Sequence, residues 1–94
     1  MIDVRYAVTS AYQYFESIKD ILGGDQLADL RLEEVELSED KHAWLITLGY
    51  DLLDKNRSQF EELMVPKKPF RREYKLFRVN SETGEVEAMK IRQV

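Results

Sequence analysis

Tyr74-Lys75-Leu76-Phe77-Arg78-Val79-Asn80-Ser81-Glu82-Thr83-Gly84-Glu85-Val86-Glu87-Ala88-Met89-Lys90-Ile91-Arg92 is the stretch that decides the fold. Apolar and polar residues alternate on either side of a polar centre, which reads as strand, tight turn, strand. Asn80 can hold a type I turn through its side chain, and Gly84 can take the positive φ that re-aims the chain. The alternation slips once in each arm. Tyr74 and Leu76 share one parity and Phe77 and Val79 the other; Val86 with Ala88 and Met89 with Ile91 repeat the slip. Such a hairpin is either buried on both faces or bulged in each strand.

Upstream, residues 52–70 break the hairpin rhythm. The segment is too long for a tight turn, and long connections usually carry structure or function of their own. Ser58-Gln59-Phe60-Glu61 matches a capping box, and Phe60, Leu63 and Met64 follow at helical spacing, so a short helix is expected there. Pro66 and Pro69 bracket Lys67-Lys68 and favour an extended exit.

A first hairpin precedes that insertion. Trp44, Ile46, Leu48 and Tyr50 share one face of an expected strand over about residues 43–51, opposite Leu45, Thr47 and Gly49. In its partner, over about residues 30–38, Leu30 and Leu32 are out of phase with Val35 and Leu37. A β-bulge at Glu33-Glu34 would turn both pairs to one core, and charge at the bulge would discourage edge pairing. Residues 25–29 read as a connector.

The N-terminal part is helical. Val4, Ala7, Val8, Ala11, Phe15, Ile18 and Leu22 recur at steps of three and four and form one stripe, with Tyr14 and Ile21 on its flank. Asp3 suits the N-cap, and Gly23-Gly24 supplies the stop. The expected architecture is therefore a single two-layer α+β domain over residues 1–94. An amphipathic helix (about 4–22) packs on a four-stranded antiparallel sheet (about 30–38, 43–51, 72–80 and 85–92), with a partly helical insertion at about 52–70.

Composition narrows the function classes. The chain has 94 residues, 44% of them apolar and ten aromatic, which suffices for one thin core. It has no cysteine, so disulfides, thiolate metal sites and a cysteine nucleophile are excluded. Met1-Ile2-Asp3-Val4-Arg5 opens into amphipathic sequence without an apolar signal-type run, and no run is long enough to span a bilayer. A cytoplasmic, bacterial-style small protein is the expectation. The net charge of −4 is unevenly spread. Residues 1–54 hold 4 Lys/Arg against 12 Asp/Glu, whereas residues 55–78 hold 8 against 3.

The order of elements, with a final hairpin of the form Tyr74-x-x-x-x-Val79-Asn80-x-x-Thr83-Gly84-x-Val86, resembles the PepSY domain and the wider set of cystatin-like folds. The resemblance covers most of the chain outside residues 52–70. It implies a helix lying on a curved antiparallel sheet, and a role in binding or inhibiting another protein, as some PepSY domains are thought to do with peptidases. It implies no catalytic residue.

Read for chemistry, the residues offer little. His42 is the only histidine and lies in the charged turn Ser38-Glu39-Asp40-Lys41-His42, without the partners that a general base or a metal ligand needs. The acidic run Glu33, Glu34, Glu36, Glu39 and Asp40 lacks the glycine and spacing of a calcium loop. No nucleophile–base pair or phosphate loop can be pointed to, so the chain is read as non-enzymatic and without a cofactor or metal. The preferred reading is a protein-interaction module that binds a partner protein or peptide, or itself as a homodimer. Its contact residues would be Phe60, Leu63, Met64, Phe70, Lys67, Lys68, Arg71 and Arg72, together with a sheet surface. The alternative is a nucleic-acid-binding accessory protein. It would use the cations of residues 67–78, interleaved with Phe70, Tyr74 and Phe77. Against it, those cations can pair with the acidic first half, which requires no partner.

Overall fold

A computed structural model describes residues 1–53 and 70–93. Helix α1 spans Val4–Leu22 and is followed by a 3-10 turn at Gly24–Gln26 and four strands. These are β1 (Leu27–Leu37), β2 (Ala43–Leu53), β3 (Phe70–Asn80) and β4 (Val86–Ile91). They form one antiparallel sheet in the order β1-β2-β3-β4.

The helix begins where Asp3 caps it, its carboxylate accepting from the Tyr6 N–H at 2.8 Å. It ends at Gly23, whose N–H returns to the Lys19 carbonyl. Ala7, Ala11 and Phe15 are buried against the sheet. Two alanines at the contact let the helix backbone come close, and Phe15 fills the space beyond them beside Tyr50, with ring centroids 5.3 Å apart. Tyr14 and Ile21 on the flank of the stripe are exposed, and so is Val4, which heads the stripe in the first helical turn.

The sheet supplies Ala43, Ile46, Leu48, Tyr50, Phe77 and Val79 to the core. Burial raises the Tyr50 phenol above its usual pKa; Glu73 adds to the rise and Arg71 opposes it. The parity slips resolve differently in the two hairpins. In β1 the register with β2 shifts between Leu32 and Glu34, so Glu33 is the extra residue and Leu32, Val35 and Leu37 all turn toward the helix. A second shift lies between Ala28 and Arg31, where Asp29 has φ 56°. In the second hairpin only β4 is irregular, with a shift at Glu87 opposite Arg78 and Val79. Strand β3 runs unbroken, so Tyr74 and Leu76 face away from the helix while Phe77 and Val79 face it.

The start of β1, the end of β2 and the start of β3 each lie two or more residues from the sequence reading. β1 starts at Leu27, because the bulge around Asp29 lets the connector join the sheet. Leu52 and Leu53, placed in the insertion by sequence, extend β2 and pair with Arg71 and Phe70 of β3. Mutual pairing of the two long strands prolongs them beyond the point where the alternation of β2 fades. The short helix expected within residues 52–70 lies outside the described residues; among the described residues the only α-helix is α1. No helix among them is long and apolar enough to cross a membrane.

Candidate interaction surface

The helix covers one face of the sheet, and the opposite face carries the polar chemistry. Two arginines cross it. Arg72 of β3 donates to Glu33 Oε1 at 2.6 Å, to Asp51 Oδ1 at 3.2 Å and to the Asp29 carbonyl at 2.9 Å. Burial lowers the tendency of its guanidinium to hold a proton, and the hydrogen bonds to Glu33 and Asp51 more than reverse that, so its pKa rises overall. Gly49 of β2 lies beneath this bridge. A Cβ there would stand 2.8 Å from Glu33 Oε1 and 3.1 Å from Arg72 Nη2, so only glycine lets the pair lie flat across the middle strand.

Arg92, just beyond β4, makes the second crossing. It holds Glu34 through both terminal guanidinium nitrogens, Nη1 and Nη2, at 2.8 and 3.1 Å and donates from Nη1 to Thr47 Oγ1 at 3.0 Å. The two bridges explain why Gly49 and Thr47 are buried on the face that no described element covers. Arg78 pairs with Glu87 at 3.4 Å, and on the helix side of β3 Arg71 pairs with Glu73 at 2.8 Å.

The candidate residues divide into two groups. Phe60, Leu63, Met64, Lys67 and Lys68 lie outside the described residues. Phe70, Arg71 and Arg72 stand together at the start of β3. Phe70 is 43% exposed and pairs with Leu53 on the face away from the helix. Of the aromatic residues in the basic stretch, Phe77 is core, touched edge-on by Tyr14 at 6.1 Å, and Tyr74 is half-buried on the far face. His42 is exposed in its turn, where its N–H donates to Asp40. The Ser38 hydroxyl and that N–H hold the Asp40 carboxyl below the usual range. No group of three or more metal-ligating side chains occurs among the described residues.

Sequence reasoning missed Arg92, Glu34 and Gly49 as partners. The signal for Gly49 was present, since a glycine inside an apolar strand marks a close approach. Arg92 carried none, because its reach across three strands depends on the register. Compared with protein-family models, curated proteins and solved structures, the chain matches none.

Proposed function

We propose that the chain is a non-enzymatic protein-interaction module of helix-on-meander layout, with its contact surface at the sheet end formed by Leu53, Phe70, Arg71 and Arg72 and on the adjoining sheet face away from the helix. The observation that carries this reading is Phe70, a large aromatic side chain 43% exposed beside Leu53 and next to the arginines. Aromatic and arginine side chains dominate the energetics of protein contacts, and Phe70 has a rigid apolar surface already ordered by strand pairing. PepSY-like binding of another protein is the form that the element order favours.

The ion pairs weigh against the nucleic-acid alternative. Arg71, Arg72 and Arg78 each have a carboxylate partner within the chain, so phosphates would have to displace Glu73, Glu33, Asp51 and Glu87. The test is capture from native lysate by wild-type protein and by Phe70→Ala. A partner, or a second copy, retained by the wild type and lost tenfold or more in the variant is the expected outcome. Equal retention by both removes Phe70 from the site. Binding of DNA or RNA that falls steeply with salt replaces this reading with the alternative.

A further inference from the structure

The two edges of the sheet are complementary to each other. Ser38 N–H donates inward to the Ala43 carbonyl, and Arg92 N–H inward to the Tyr74 carbonyl. Inward and outward groups alternate along an antiparallel edge. The N–H and C=O of Val35 and Leu37 on β1, and of Met89 and Ile91 on β4, therefore point away from the sheet. Register places all four of these side chains on the helix side, opposite Ile46 and Trp44 through β2 and opposite Phe77 and Lys75 through β3. Between each pair stands one exposed charge on the far face, Glu36 on β1 and Lys90 on β4. Among the described residues no ion pair engages either one, whereas the neighbouring Glu34 is held by Arg92.

We propose that a second copy of this chain docks head to tail, with Val35-Glu36-Leu37 of one copy laid antiparallel against Met89-Lys90-Ile91 of the next. The strand directions continue the meander, since β4 runs opposite to β1. Ile91, 71% exposed in the single chain, then faces Val35; Met89 faces Leu37; and Lys90 faces Glu36. Charge disfavours the symmetric alternatives in the matching register. Pairing β4 with β4 about its centre sets Lys90 against Lys90, and pairing β1 with β1 sets Glu36 against Glu36, both unfavourable across a ladder. The shifts at Glu33 and Glu87 confine the regular stretch on each edge to a few residues. The contact is therefore short and reversible, and, being head to tail, it leaves one edge of each copy free to add another.

This inference rests on the reading of the chain as an interaction module and assigns its self-contact to the sheet edges, away from Phe70. The test uses the full chain and two surface variants, Lys90→Glu and Glu36→Lys, with circular dichroism to verify folding. Light scattering across a concentration series should show wild-type mass rising with concentration and falling as salt screens the pair. Each variant alone should stay monomeric, with association weakened at least tenfold. An equimolar mixture should regain association, because Glu at 90 in one variant meets Lys at 36 in the other. A wild type that is monomeric throughout overturns the proposal. So does association that survives both single variants; if it is then lost in Phe70→Ala, the interaction reading stands and only the edge assignment fails.

Discussion

Gly49 sits in the middle of β2, where a β-branched residue would ordinarily strengthen a strand. Its value lies in what it lets pass overhead. The Glu33–Arg72 bridge is partly exposed, with 33% and 24% of the two side chains accessible, so solvent discounts the pairing to about 1 kcal/mol. Gly49→Ala would push Glu33 aside, since its Cγ is also only 2.9 Å from the new Cβ. The substitution should destabilise the protein by about 1 kcal/mol, read as a lower denaturant midpoint at unchanged slope. In a Glu33→Ala background the closest obstruction is gone and only the Arg72 guanidinium at 3.1 Å remains, so the same change should cost clearly less, offset further by the lost backbone freedom of glycine. Equal effects in both backgrounds would show that the bridge is not what Gly49 serves.

Among the elements, the turn between β3 and β4 was legible nearly residue by residue. Asn80 accepts from the N–H groups of Glu82 and Thr83 at 2.8 and 3.0 Å, and Gly84 has φ 78° with its N–H on the Asn80 carbonyl. Turn chemistry is local, so sequence carries it. The Glu33 bulge was legible for a related reason: a phase slip between apolar pairs has one cheap solution when a single face is buried. In the second hairpin the same slip had two solutions. β4 took the bulge and β3 stayed regular because β3 pairs on both sides, a fact of topology that local pattern does not hold. The lower end of the sheet was misjudged likewise, since Leu52 and Leu53 read as insertion until Arg71 and Phe70 pair with them. Contact between elements was the least legible. Gly84 lies against the Tyr6 ring, so an added Cβ would strike that ring as well as strain the left-handed backbone. Gly84→Ala should cost roughly 1–3 kcal/mol. Adding Tyr6→Ala should recover the steric share and leave about 1 kcal/mol of backbone strain, as measured by a double-mutant cycle in urea. No coupling between the two sites would mean that the hairpin and helix do not constrain each other.

At the scale of the molecule, one end of the two-layer fold is closed by a knot around Ser81. Its N–H donates to the His42 carbonyl at 2.9 Å, its hydroxyl to the Lys41 carbonyl at 2.8 Å, and its own carbonyl accepts from the Ile2 N–H at 2.7 Å. Trp44 Nε1 adds a bond to the Ile2 carbonyl at 3.2 Å. Both hairpin turns and the entry to the helix therefore meet at a side chain only 1% exposed. The acidic first half and the second half are joined over the far face by Arg72, which meets Asp29, Glu33 and Asp51, and by Arg92, which meets Glu34. The knot and the crossings act at different depths. The crossings are wet enough for salt to screen them, whereas the Ser81 side chain is buried and its removal takes a neutral donor from the Lys41 carbonyl. Ser81→Ala should accordingly cost about 1–2 kcal/mol, which lowers the melting midpoint of a domain this size by roughly 5–10 °C, with little dependence on salt. Amide exchange locates the loss. Ile2, Ser81 and the turn between β1 and β2 should exchange faster than wild type, while the amides of Ile46 and Phe77 at the sheet centre follow global stability alone. An unchanged midpoint, or a loss of protection no greater at these amides than at the sheet centre, would show that the three segments are held together by apolar packing and that Ser81 merely fits among them.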